Sequence, residues 1–121
     1  MTNKTTLVLG ASPKNERYSN MAVRRLRAHG HSVVAVGLRE GMIGDHPIVT
    51  AIPEGTTIHT VTLYLNERNQ QRWEPLVLAL APERIIFNPG AENAGFSRKA
   101  ASQGIEVMEA CTLVMLGAGQ Y

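Results

Sequence analysis

The segment from Gly10 to Ser19 gathers the residue types suited to holding a charged ligand. Gly10-Ala11-Ser12 follows the apolar run Leu7-Val8-Leu9, and Lys14, Arg17 and Ser19 come next. A strand that turns at small residues and feeds a helix presents backbone N–H groups and a helix N-terminus to an anion, such as a nucleotide phosphate. Gly10 allows a tight turn and close backbone approach. Ala11 and Ser12 leave room for a phosphate, Lys14 and Arg17 can neutralise it, and the planar fork of Arg17 matches its oxygens. An ordinary solvated loop, with Ser19 capping the helix, fits the same residues.

The remaining glycines of the dinucleotide fingerprint are absent, so an NAD site does not follow from the turn alone. The next strand ends at Val36-Gly37-Leu38, where an NAD-binding domain carries a carboxylate for the ribose 2′-hydroxyl. Here Arg39 comes first and Glu40 after it. An arginine at that place favours a phosphorylated ribose, as in NADP or coenzyme A, although a solvent-facing loop arginine is equally compatible.

No second set of residues composes a catalytic centre. His29 and His31 flank a helix-ending glycine, His59 stands at a strand start, and none has metal-ligand spacing with Cys111. His46, in a long irregular stretch, is the one histidine expected near a ligand. Cys111 is open to thiol exchange with coenzyme A, but buried structural cysteine is the commoner role. Glu92 lacks a titrating partner and reads as a helix-start residue, with Asn93 beside it. Trp73 with Leu76, Val77 and Leu80 reads as core or as a subunit contact.

These residues sit on an alternation of strands and helices. Strands are expected at Thr6–Leu9, Ser32–Val36, Ile58–Leu65, Arg84–Asn88 and Ile105–Met108. A helix from about Asn20 to His29 is capped by Ser19 and stopped by Gly30. A second runs from the Asn66 cap to Leu80 with a break at Pro75, and a third from Asn93 to Gln103 ahead of Gly104. Leu38 to Thr57 reads as irregular and long enough to be functional. Asn88-Pro89-Gly90-Ala91 reads as a turn, and Cys111 to Tyr121 as a final turn. The pattern predicts an α/β fold: a small doubly wound, mostly parallel Rossmann-like sheet with helices on both faces and right-handed crossovers. Its ligand crevice lies beyond the strand carboxyl ends, with Gly10, Val36 and Asn88 around it.

Size and composition agree with one domain over residues 1–121. The 121 residues suffice for a core without disulfides, and 44% of them are hydrophobic. No apolar run reaches the roughly 18 residues of a membrane span. No signal-peptide core follows Met1, and the single cysteine fits a reducing compartment, so the cytoplasm is the expected location. Residues 1–39 carry seven cations (Lys4, Lys14, Arg17, Arg24, Arg25, Arg27 and Arg39) against Glu16 alone, a net +6 within a total of +2. That polarity suits a phosphate-rich small ligand. With 5% aromatic residues and no basic stripe among them, nucleic acid is not an expected partner.

Taken together, these blocks resemble the CoA-binding-domain family, related to the nucleotide-binding domain of succinyl-CoA synthetase α subunits. Gly10-Ala11-Ser12 with Arg17 and Ser19 matches the family's first block, and Ile43-Gly44 with Pro47 is similar to a later one. Gly90, Glu92-Asn93, Ala100 to Val107 and Cys111 follow the family's closing pattern. Two departures stand out: Val36-Gly37-Leu38 replaces Val-Asn-Pro, and Phe87-Asn88-Pro89 replaces an aromatic and Gln before the glycine. The resemblance spans nearly the whole chain. It implies a pyrophosphate cradle at Gly10, Ala11, Ser12, Arg17 and Ser19, with adenine and ribose contacts near Val36 and Arg39. The expected contact set adds Lys14, Asn88 and Gly90, with no catalytic or metal-binding residue. The leading expectation is non-catalytic binding of coenzyme A or an acyl-CoA, in contact with a partner protein or a second copy of the chain. An NADP-binding small oxidoreductase, or a subunit of one, is the alternative. A structural dimer with a vestigial nucleotide site is the third reading.

Overall fold

The computed structural model describes residues 2–121. In chain order the elements are β1 (Thr6–Leu9), α1 (Tyr18–Ala28), β2 (Val33–Val36), β3 (Gly41–Ile43), β4 (His46–Val49), β5 (Thr60–Leu63), α2 (Glu67–Gln70), α3 (Glu74–Leu80), β6 (Arg84–Phe87), α4 (Ala94–Ser102), β7 (Glu106–Glu109) and α5 (Thr112–Gly117). The seven strands form one sheet in the order β3-β4-β2-β1-β5-β6-β7. All pairs are parallel except β3 with β4. Strand order reverses between β1 and β5, so the crevice of a doubly wound sheet lies beyond Leu9 and Leu63.

Burial on both faces explains why β1, β2 and β6 read largely as apolar runs, while β5 buries Thr60 and Thr62 between Val61 and Leu63. Leu7, Leu9, Val36, Val61, Leu63, Ile85 and Phe87 turn to one face, against Trp73 at the cap of α3, Val77 within it, and Phe96 and Ala100 of α4. Phe87 and Phe96 meet edge to face at 5.6 Å. On the other face Val8, Ala35 and Ile48 pack on Val23 and Leu26 of α1 and Leu116 of α5. Burying each such side chain contributes about 1.5–3 kcal/mol.

Three helices end alike. After α1, the N–H of His31 reaches Leu26 O and that of Gly30 reaches Arg27 O. The same pair of bonds recurs after α4 at Gly104 and Ile105, and after α5 at Gly119 and Gln120. The closing glycines have φ of +85°, +84° and +70°, the left-handed turn of a Schellman ending.

Three sequence expectations change, and a fourth, the break near Pro75, holds. The stretch Leu38–Thr57 is not wholly irregular: β3 and β4 form a hairpin whose second strand pairs parallel with β2. These short strands hold only Ile43 and Ile48 buried, so hydrophobic alternation is too sparse to reveal them. α1 starts at Tyr18 with Arg17 as its cap residue, and Ser19 lies inside the helix rather than capping it. Cys111–Tyr121 holds a helix, α5, in place of a final turn. Finally, the break near Pro75 divides the region into α2 and α3, with the proline in the first turn of α3, where its missing N–H costs nothing.

Candidate functional site

The β1–α1 loop is pressed between its neighbours. Gly10 has φ +97°, and a Cβ there would stand 3.1 Å from Tyr64 C and 3.2 Å from Leu65 Cδ2. A Cβ on Gly37 would stand 2.4 Å from Ala11 O. The glycines at the tips of β1 and β2 therefore let the first loop lie against the chain after β5 on one side and after β2 on the other.

Hydrogen bonds hold it there. The N–H groups of Gly10 and Ala11 both donate to Val36 O at 3.0 Å. Those two amides, expected from the sequence to face an anion, are thus already engaged. Asn20, fully buried in α1, donates from Nδ2 to Ser12 O at 2.9 Å. Arg24 Nε donates to Asn20 Oδ1 at 2.8 Å, and its Nη2 to Asn15 O at 3.1 Å. Asn20 and Arg24 were missed as site residues, because a helical Asn and a helical Arg carry no local signal of the loop they brace.

The donors left over are at the start of α1. Arg17 offers no side-chain cap, and the N–H groups of Tyr18, Ser19 and Asn20 find no acceptor among the described residues. Ser19 is 4% exposed, and its hydroxyl makes no hydrogen bond among the described residues. An uncapped helix start with free N–H groups attracts an anion through both the donors and the helix dipole. Lys14, Arg17 and Arg39 are exposed and form no ion pair among the described residues. Lys14 and Arg17 belong to the β1 loop, and Arg39 follows Gly37 in the β2 loop. Ser12 Oγ accepts from Lys14 N–H at 3.2 Å.

Other expected contacts serve the scaffold. Val36 is fully buried, and its carbonyl holds the β1 turn. Asn88 is buried with each polar atom used: Nδ2 donates to Thr62 Oγ1 at 2.7 Å and Leu63 O at 2.9 Å, while Oδ1 accepts from Thr112 N–H at 2.9 Å. It ties β5, β6 and α5 together below the crevice. Gly90 lies in the expected turn, with φ +92° and Ala91 N–H reaching Asn88 O at 2.8 Å. Glu92 accepts from Gly90 N–H at 3.0 Å. Asn93 caps α4 and donates to Gln70 Oε1, and Gln70 donates to Leu65 O and Ala91 O. That network joins the β5 and β6 loops.

His46 corrects a sequence expectation. It begins β4, and Ile48 rather than His46 is level with Ala35, so His46 lies toward the amino-terminal end of the sheet, away from the crevice. Burial, then the nearby Arg27 charge, pushes its pKa below the usual histidine value.

The carboxyl ends also hold a buried phenol. The Tyr64 hydroxyl is buried beside the Thr112 and Thr62 side chains without reaching hydrogen-bond geometry with either, and burial pushes its pKa up to about 12. At the amino ends, Glu83 Oε2 meets His59 Nε2 at 2.7 Å, His59 Nδ1 meets Thr60 Oγ1 at 2.7 Å, and Arg84 Nε donates to that oxygen at 2.7 Å. The order resembles an acid–base–nucleophile series, but Thr60 is fully buried and no substrate reaches its hydroxyl. Among the described residues no three His, Cys, Asp or Glu side chains form a metal-binding group.

The model of the CoA binding domain matches residues 4–117. The chain belongs to the CoA-binding-domain family. It is also similar to solved structures. A crystal structure of an uncharacterised protein shares 41% identity over 100% of both chains, with a TM-score of 0.95. A Thermus thermophilus structure, cell-free ID.343, shares 25% identity with TM-score 0.84, covering 98% of this chain and 91% of that one. A hypothetical protein from Pyrococcus horikoshii OT3 shares the fold at 20% identity and TM-score 0.86, covering 96% of this chain and 83% of that one. A search of curated proteins gave no match. In this CoA-binding-domain protein, then, the family match covers every loop around the crevice. No helix is long and apolar enough to cross a membrane among the described residues.

Proposed function

We propose that the chain binds coenzyme A, free or acylated, at the carboxyl ends of β1 and β2, and that it does so without transforming it. The observation that carries this reading is the uncapped start of α1, with three N–H groups lacking acceptors beside the unpaired Lys14 and Arg17. These groups, with the Ser19 hydroxyl, would hold the pyrophosphate. Gly10, Ala11 and Ser12 shape the turn that leaves space for it. Arg39 would meet the phosphate on the ribose. Coenzyme A supplies the thiol that carries an acyl group, while this chain's residues bind and orient the nucleotide end.

The non-catalytic part of the reading rests on what the polar side chains around the crevice already do. Asn88, Asn93 and Gln70 are occupied by internal hydrogen bonds, and Glu92 by the Gly90 amide. The Tyr64 phenol, raised to about 12, is a poor base or acid at neutral pH. A carrier or sensor that passes the loaded cofactor to a partner protein fits such a site. We place it in the cytoplasm, as one domain.

Arg39 also suits the 2′-phosphate of NADP, so calorimetry should compare coenzyme A, acetyl-CoA, dephospho-CoA and NADPH. Saturable heat with coenzyme A or acetyl-CoA, weaker for dephospho-CoA and absent for NADPH, is the expected outcome. No heat with either coenzyme A species at millimolar ligand overturns the proposal, and heat with NADPH alone replaces it with the oxidoreductase reading.

A further inference from the structure

At the end of the sheet opposite the crevice, the segment after α5 folds back over the strand starts. Gln120 N–H reaches Met115 O at 2.8 Å, which turns Tyr121 inward. The Tyr121 ring lies 5.0 Å from the His31 ring and 4.2 Å from the Arg84 guanidinium carbon, both measured to its centroid. Its hydroxyl shares a hydrogen bond with Thr6 Oγ1, and its carbonyl accepts from Lys4 Nζ. One side chain in this cluster has a bond that depends on its protonation state: His31 Nδ1 accepts from the Lys4 backbone N–H at 3.0 Å. That bond exists only while Nδ1 carries no proton.

We propose that His31 is a proton-operated latch for the segment Gly119–Tyr121, closed when the imidazole is neutral and released when Nδ1 is protonated. Protonation turns the Lys4 N–H···N bond into two opposed N–H groups. It also places a positive charge among groups that are themselves cationic or can become so: Lys4 before β1, His29 after α1, His59 before β5 and Arg84 in β6. Tyr121 is the remaining titratable group against the ring. Two carboxylates lie at this end of the sheet: Glu83 is directed to His59, and Glu106 of β7, level with Arg84, forms no ion pair among the described residues. Arg84 is 7% exposed, its Nη2 lacks a partner, and it forms no ion pair among the described residues, so its charge stands unneutralised against the Tyr121 ring.

The direction of the response follows. Burial, then Lys4, lowers the His31 pKa in the closed form. The open form takes up its proton near the ordinary value of about 6.5, before the closed form does. Latch stability is therefore complete above that value and declines as pH falls below it.

The test is amide hydrogen exchange, read at Gln120 on the whole chain and corrected for intrinsic exchange. Protection should fall severalfold between about pH 7.5 and about pH 5 as His31 takes up its proton. In His31→Asn the side-chain oxygen can replace Nδ1 as acceptor but does not titrate, so protection should become independent of pH. His59→Asn should leave the pH dependence of the wild type in place. Constant protection in the wild type overturns the proposal. So does a His31→Asn protein that keeps the wild-type pH dependence, or a His59→Asn protein that loses it.

Discussion

A Cβ placed on Gly37 would stand 2.4 Å from the carbonyl oxygen of Ala11. That distance is below any real contact, and the obstructing atom is backbone held by the paired bonds of Gly10 and Ala11 to Val36. Gly37→Ala must therefore move one loop away from the other. Overpacking of this kind costs about 1–3 kcal/mol. For a chain of this size the melting temperature should drop by roughly 3–10 °C. Calorimetry should also find weaker coenzyme A binding, because the displaced loop carries Lys14 and Arg17.

The exposed Arg39 offers a change of ligand preference. If its partner is the ribose phosphate, Arg39→Ala removes a charge-assisted bond of about 1.5–3 kcal/mol. Affinity for coenzyme A should fall roughly 10- to 100-fold, with dephospho-CoA affected little. Equal losses for both ligands would assign Arg39 to the pyrophosphate instead. Raising the salt concentration should weaken both ligands, since Lys14, Arg17 and Arg39 are solvent-exposed.

Asn88 should behave as a structural residue despite its place below the crevice. Asn88→Ala strands the Thr112 N–H and removes a donor from Leu63 O and from Thr62 Oγ1, which keeps only its bond to Thr112 Oγ1. A loss of about 2–4 kcal/mol is expected from the unsatisfied groups. Denaturant unfolding measures it. Unchanged stability would contradict the bonding described for this side chain.

Tyr64→Phe is expected to go the other way. The hydroxyl is buried without a partner, so its removal should be neutral or stabilising by up to about 1 kcal/mol. The native phenol ionises near 12, whereas an unfolded tyrosine ionises near 10. The contribution of Tyr64 is thus intact below about pH 10 and lost as pH rises toward about 12. Ultraviolet titration should show this late ionisation step in the wild type and lack it in the variant.

The alternation of apolar runs with capped or glycine-ended helices was enough to read the parallel α/β sheet from the chain. Strands buried on both faces have few other sequence solutions. The turn at Gly10, the cations Lys14, Arg17 and Arg39, and the Asn88–Ala91 turn were legible for the same local reason, since residue type alone restricts what each can do. The β3–β4 hairpin was not. Its two short strands bury one apolar side chain each, Ile43 and Ile48, too few for an alternation to show. Nor could residue type say that Ser19 lies within a helix whose cap is Arg17, or that His46 lies away from the crevice.

Sequence by itself determined the family, the fold class and the chemical character of the first loop, because these rest on local propensity and on the order of motifs. Tertiary structure alone decided which donors remain free. The Gly10 and Ala11 amides are consumed by Val36, whereas those of Tyr18, Ser19 and Asn20 find no acceptor. A backbone N–H is present at every residue except proline, and only the packing of one loop against another determines whether it is already satisfied.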